Sequence, residues 1–77
     1  MVDLLDYLAR RLVDDPEAVS VDTIERDDAL VVLLHVAPED VGKVIGRQGR
    51  IARALRTVVR AAGGAQTDRR VLLEIVE

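Results

Sequence analysis

The residues with the clearest chemical use are Gly46-Arg47-Gln48-Gly49, which lie between two predicted helices. Glycine has no Cβ atom, so another backbone can approach the chain closely at Gly46 and Gly49. The N–H groups that open the second helix carry the positive end of its dipole, and Arg47 adds a full charge. A sugar-phosphate strand is a ligand that suits this combination.

The same four residues also have a purely structural interpretation. Glycine commonly marks turns and the ends of helices, so the two glycines would simply punctuate a joint between helices. The spacing alone does not choose between a phosphate-binding loop and a structural turn.

Basic residues around the loop are candidates for the same site. Lys43 lies three residues before the loop, and Arg50 lies in the first turn of the helix that follows it, so both charges are predicted to approach a bound phosphate. Three further arginines lie opposite the apolar residues of that helix, and the favoured interpretation is a solvated helix face. They are Arg53, Arg56 and Arg60.

The distribution of charge along the chain is consistent with an anionic ligand, although the net charge is negative. The net charge is −3 and the pI is about 5.1, which is unusual for a nucleic-acid-binding protein. Residues 1–40 carry eleven acidic and three basic side chains, a balance of −8, whereas residues 41–77 carry eight basic and three acidic side chains, a balance of +5. Such asymmetry provides a face that attracts anions. The alternative is that acidic and basic helix faces neutralise each other.

The sequence offers little for catalysis. It has no cysteine, one histidine (His35) and one serine (Ser20), and no base is spaced to pair with a nucleophile. We therefore predict no enzymatic activity, no metal and no cofactor, and interpret His35 as a strand-end side chain. The longest apolar run, residues 29–34, is far shorter than the ~20 residues of a membrane span. We expect a cytoplasmic protein with neither a membrane nor a small-molecule substrate as partner.

The hydrophobic pattern predicts six elements in the order helix–strand–strand–helix–helix–strand. They span residues 3–14, 19–25, 30–36, 38–44, 50–62 and 71–76. The nearly continuous apolar segment 30–36 is predicted as the central strand. The fold class is α+β, a two-layer sandwich in which three helices cover one face of a three-stranded sheet. If the other face is open, Val31 and Leu33 would be partly exposed there and form a partner surface.

In this element order, the stretch Val41–Ile51 (VGKVIGRQGRI) closely resembles a KH domain of the type II (prokaryotic) topology. Residues 1–77 as a whole resemble a single domain of the small stand-alone bacterial KhpA type. The resemblance implies binding of single-stranded RNA, with about four nucleotides held between the loop, its flanking helices and the edge of the sheet.

The resemblance also implies roles for individual residues. Gly46 and Gly49 would allow the RNA backbone to approach, and Arg47 and Gln48 would face its phosphates. An aliphatic groove for the bases would be formed by Ile45 together with Val41 and Val44.

Family members of this type act as RNA chaperones or regulators, and the resemblance implies a homodimer or a heterodimer with a larger Jag-type (KhpB) protein. The alternative function is a protein-interaction or dimerisation module in which the loop is only a turn. Aspartate at both Gly46 and Gly49 is expected to abolish RNA binding and to leave the fold largely intact.

Overall fold

The computed structural model describes residues 2–65 and 67–76, so the predicted domain limits at residues 1 and 77 lie outside the described residues. The elements follow the predicted order. They are α1 (Val2–Leu12), β1 (Ser20–Arg26), β2 (Ala29–His35), α2 (Val41–Ile45), α3 (Arg50–Gly64) and β3 (Arg70–Val76). Single 3₁₀ turns occupy Pro16–Ala18, Pro38–Asp40 and Arg47–Gly49.

The sheet has the order β1-β2-β3, which confirms that the most apolar strand is central. A two-residue turn at Asp27 and Asp28 joins β1 to β2 as an antiparallel pair, and Asp27 takes a left-handed φ of 54°. Strand β3 runs parallel to β2. A parallel pair needs a crossover connection, which α2 and α3 provide. The loop of interest therefore lies in the middle of this crossover.

The three helices pack on the face of the sheet that carries Val32 and Leu34, which confirms the two-layer sandwich. Alternation along each strand sends every second side chain to this face. The core is entirely aliphatic, and its other buried members are Leu5, Ala9, Val19, Val36, Val44, Leu55, Val59, Val71 and Leu73. Truncation of such a side chain to alanine typically costs about 2–5 kcal/mol.

No helix formed by the described residues covers the outer face of the sheet, and one of the two residues predicted to be exposed there is buried. Leu33 is half-buried as expected, but Val31 is 0% exposed. Val31 lies in the middle strand, with Ile24 of β1 and Leu72 of β3 as its register partners on either side. Flanking aliphatic side chains on the same face remove it from solvent.

An ion pair contributes to the same burial. Arg26 Nη1 lies 3.0 Å from Glu74 Oε1, so the pair joins the two edge strands across β2. Arg26 is in register with Ala29, and Glu74 is in register with Leu33, so the pair crosses the central strand diagonally at Val31. The prediction that Val31 forms an exposed partner surface is therefore wrong.

The ends of the helices differ from prediction for local reasons. Helix α3 continues through Gly63, which is buried, to Gly64 rather than stopping at Ala62. The predicted helix 38–44 divides into the 3₁₀ turn Pro38–Asp40 and the α-helix Val41–Ile45. The other boundaries shift by one or two residues, as is usual for helix and strand ends.

Candidate nucleic-acid interface

Three residues with positive φ define the backbone conformation of the loop between α2 and α3. The N–H of Gly46 donates to the carbonyl of Gly42 at 2.9 Å and ends α2. Gly46 then adopts φ 77° and ψ 175°, a conformation open essentially to glycine alone. Gln48 (φ 57°) and Gly49 (φ 73°) are both left-handed. The chain thus turns from α2 into α3, which starts at Arg50.

The two glycines of the loop are required for different reasons. A Cβ atom at Gly46 would lie 2.7 Å from Cγ1 and 2.9 Å from Cβ of Ile51, so the fold itself needs a glycine there. A Cβ atom at Gly49 would meet no atom within 4 Å. The expectation that aspartate at both positions leaves the fold intact is therefore wrong for Gly46. Gly49 is the position at which the backbone faces open space.

Most of the predicted site residues are exposed, whereas Val44, which was expected in the aliphatic groove, is buried in the core. The side chains of Arg47, Gln48 and Arg50 are exposed, and Ile45 is 38% exposed beside them. From one turn farther along α3, Arg53 Nη2 donates to the carbonyl of Gln48 at 3.2 Å. This hydrogen bond holds the peptide between the two left-handed residues in a fixed orientation.

Lys43, also predicted for the site, is engaged elsewhere in the structure. Its ammonium group donates to the carboxylate of Asp14 and lies 3.7 Å from Oδ1 of Asp40. The hydrogen bond to Asp14, together with the charges of Asp14 and Asp40, holds the pKa of Lys43 above its ordinary value. A contact between Lys43 and a phosphate stays a prediction.

Asp40 is the buried member of this cluster of charged side chains. It is 1% exposed, and its Oδ2 accepts a hydrogen bond from the backbone N–H of Asp15 at 3.1 Å. A buried carboxylate needs such partners because desolvation of an unpaired charge is costly. Asp40 and Lys43 thereby tie the segment after α1 to the start of α2, which positions the helix that leads into the loop.

Gly42 lies next to the loop, in the helix that leads into it, although its role was not predicted from the sequence. Gly42 is exposed within the five-residue helix α2, and a Cβ atom there would meet no atom within 4 Å. Its φ is not positive, so neither packing nor backbone conformation requires glycine. Glycine inside a helix lowers stability by roughly 0.5–1 kcal/mol relative to alanine. A glycine kept in a predicted helix despite this loss could have indicated a functional role for Gly42. Bare backbone therefore extends from the loop onto α2.

A second surface, an apolar groove, lies between α1 and α3. It encloses about 430 Å³. Tyr7, the only aromatic residue of the chain, is 57% exposed at its wall, and the Arg11 guanidinium lies 5.7 Å from the centre of the ring. The other lining residues are mostly aliphatic: Leu8, Leu12, Arg50, Ile51, Ala54, Leu55 and Val58. The sequence predicted a partner surface on the sheet face and not in this groove, although the single aromatic residue, Tyr7, could have indicated it.

The remaining sequence predictions concern features away from the loop. His35 ends β2, as predicted for a strand-end side chain, and its Nε2 lies 3.3 Å from Oδ2 of Asp22. Within residues 2–65 and 67–76, no group of three or more histidine, aspartate or glutamate side chains is placed to hold a metal ion. No helix in the described part of the chain is both long and apolar enough to cross a membrane.

Comparison with solved structures supports the fold. The chain is similar to Aquifex aeolicus Era in a crystal structure with bound GDP.AlF4-, with a TM-score of 0.63 and 19% sequence identity. The match covers 96% of this chain and 28% of the Era chain. At this identity the likeness concerns the fold alone.

Comparison of sequences gives much closer relatives. RNA-binding protein KhpA of Caldanaerobacter subterraneus subsp. tengcongensis is 49% identical over 76 residues, which cover 99% of this chain and 100% of the relative. RNA-binding protein KhpA of Clostridium acetobutylicum is 47% identical with the same coverage, and that of Aquifex aeolicus is 48% identical over 97% of this chain and 94% of its own. The family model described as "KhpA/KhpB, KH domain" matches residues 2–75. With the glycine loop placed in the crossover of a type II sandwich, the chain belongs to the KhpA/KhpB family of KH domains.

Proposed function

We propose that this chain binds single-stranded RNA and clamps about four nucleotides at the loop between α2 and α3. The observation that carries the proposal is the left-handed Gly49, whose backbone faces open space between the exposed Arg47 and Arg50. The names of the relatives, each an RNA-binding protein KhpA, support it.

The geometry suggests how the RNA is held. Phosphates approach the bare backbone at Gly49 and Gly42, and Arg47 adds a charge-assisted contact. Ile45 offers an aliphatic surface to a base. The only aromatic residue, Tyr7, lines the groove between α1 and α3 instead. Base stacking on an aromatic ring, worth about 1–3 kcal/mol per base in other single-strand binders, therefore does not contribute at the loop.

One domain should bind RNA weakly, because it offers only a few phosphate contacts and no aromatic stacking at the loop. Two linked or paired domains would bind a longer RNA far more tightly, because the second contact becomes intramolecular. We therefore propose a homodimer or a pair with a KhpB-type protein as the working form, acting as an RNA chaperone or post-transcriptional regulator in the cytoplasm. Residues 1–77 would be its single domain, without enzymatic activity.

The test of RNA binding is the salt dependence of affinity for a short single-stranded RNA. Each neutralised phosphate contributes about −0.7 to the slope of log affinity against log salt, so two or three contacts give about −1.4 to −2.1. A slope near zero would contradict the electrostatic clamp. The same titration with DNA of identical sequence shows whether the site distinguishes the sugar.

A second candidate function is protein association without RNA, and the apolar groove between α1 and α3 favours it. Exposed apolar surface of this kind commonly marks a protein contact. Ala54→Glu places a charge in the groove at an exposed helix position, where the fold should tolerate it. If the groove joins two copies, the variant sediments as a monomer. Unchanged RNA affinity per domain would then show that the groove and the loop act separately.

A further inference from the structure

Helix α3 has an unusual charge pattern. Its 15 residues include four arginines and no acidic residue. Arg50, Arg53, Arg56 and Arg60 follow one another at spacings of three or four, which makes them neighbours on the helix surface. Like charges at this spacing destabilise a helix. A merely solvated face would mix the two signs, so the pattern calls for an external anion.

None of the arginines of α3 has an acidic partner among the described residues, whereas several basic residues elsewhere do. Ion pairs join Arg10 to Asp6 at 2.9 Å and Arg26 to Glu74 at 3.0 Å. By contrast, counting only described residues, one group of arginines has no carboxylate within 4.0 Å. This group comprises Arg11, which lies over the Tyr7 ring, Arg47 and Arg50 beside the loop, and then Arg53, Arg56, Arg60 and Arg70.

The last four of these residues form a path that leads away from the loop, which we call the arginine row (Arg53, Arg56, Arg60 and Arg70). At 100° per residue the three α3 members lie within about 60° of one another, on the flank away from the apolar groove, and they rise about 10 Å along the helix. Arg53 contacts the loop through the carbonyl of Gln48. Arg60 and Arg70 line one hollow of about 320 Å³, with Val71 and Leu72 as its other lining residues.

Acidic side chains near Arg70 limit how far a bound polyanion can extend along the row. Arg70 also lines a neighbouring hollow together with Arg69 and three carboxylates, those of Asp27, Asp28 and Asp68. Carboxylates repel phosphate, so a polyanion that follows the row should end at Arg70. Among the described residues, no acidic side chain lines the hollow shared with Arg60.

We propose that a bound RNA strand continues beyond the loop along the arginine row and places a second group of phosphates in the hollow between Arg60 and Arg70. The inference rests on the proposed RNA-binding function and extends the site beyond the about four nucleotides of the loop clamp. The row reads no sequence, because it offers charge to phosphates and no groove to bases. It lengthens the site and increases its salt dependence.

The experiment compares oligouridylates of 4 and 12 nucleotides, titrated into the full chain and followed by NMR. The test variant is Arg60→Gln/Arg70→Gln, and the matched control with the same change in net charge is Arg11→Gln/Arg26→Gln. The test variant should weaken 12-mer binding at least about threefold, as the loss of two exposed charge contacts implies. It should also reduce the salt slope for the 12-mer by about 1.4. Its affinity for the 4-mer and both affinities of the control should stay within about twofold of wild type, since neither change removes a clamp contact.

Other results would overturn the proposal. Equal losses in the test variant and the control would show that only net charge matters, and an unchanged 12-mer affinity would show that the row is not contacted. A melting temperature of the test variant well below wild type would assign Arg60 and Arg70 a structural role instead. A 4-mer that binds Gly49→Asp as well as wild type would contradict the loop clamp itself, which separates that failure from failure of the row alone.

Discussion

Gly46 and Ile51 are packed so closely that a Cβ atom on the glycine would lie 2.7 Å from Cγ1 of the isoleucine. Any side chain at position 46 would therefore collide with the first turn of α3. This contact separates the structural requirement for Gly46 from the open position of Gly49.

The first prediction concerns that contact. Gly46→Ala should lower the free energy of unfolding by about 2–5 kcal/mol, because overpacking against Ile51 adds to the strain of the positive φ. Urea denaturation measures this loss. The double variant Gly46→Ala/Ile51→Ala lacks the 2.7 Å contact with Cγ1 and retains only the 2.9 Å contact with the Cβ atom of residue 51, so the two single losses should add up to more than the loss in the double variant. Stability of Gly46→Ala within about 0.5 kcal/mol of wild type would show that the packing is not as described.

The second prediction concerns Gly42. Gly42→Ala should raise the free energy of unfolding by roughly 0.5–1 kcal/mol, because the position is helical and a methyl group meets open space. The same methyl group should weaken RNA binding if the strand lies on bare backbone here. Gly64→Ala is the control, since a Cβ atom at Gly64 likewise meets nothing within 4 Å. Gly64 lies at the end of α3 that is far from the loop. Equal RNA affinities of the two variants would exclude Gly42 from the interface.

The third prediction is a pH dependence. The pKa of Lys43 is raised in the folded chain above 10.5, chiefly by its hydrogen bond to Asp14. A raised lysine pKa contributes stability that is fully present below the unfolded value and is lost as the pH rises through the folded value. The stability difference between wild type and Lys43→Gln should therefore stay constant from neutral pH up to about 10.5 and shrink at higher pH.

The buried neighbour of Lys43 provides the comparison for this pH experiment. Asp40→Asn retains an oxygen for the N–H of Asp15 but removes the charge, and should cost about 1–3 kcal/mol near neutral pH. Denaturation curves at several pH values measure both effects. A difference between wild type and Lys43→Gln that persists unchanged in strongly alkaline solution would contradict the assigned pairing.

The element order could be predicted from the sequence because it depends on local periodicity. The pattern of segment 30–36 indicated a central strand, and the glycines at 46 and 49 indicated the loop. The exposure of Val31 could not be predicted, because it depends on Ile24, Leu72 and an ion pair that only the strand register brings together.

Long-range contacts also determine two features of the site that could not be predicted from the sequence, the partner of Lys43 and the difference between the two loop glycines. Lys43 pairs with Asp14, 29 residues earlier in the chain, and no local pattern reports this pairing. The two loop glycines look equivalent in the sequence. Their difference arises from the side chain of Ile51, which packs under one of them and leaves the other open.

The most direct test of the RNA clamp compares Gly49→Asp with Gly49→Asn. Both side chains have the same shape and tolerate a left-handed backbone, so both variants should have the same melting temperature. Near a phosphate, the aspartate should weaken binding of a short single-stranded RNA at least about tenfold relative to the asparagine at low salt. The two affinities should converge as added salt screens the charge. Affinities for both variants equal to wild type would contradict RNA binding at this loop.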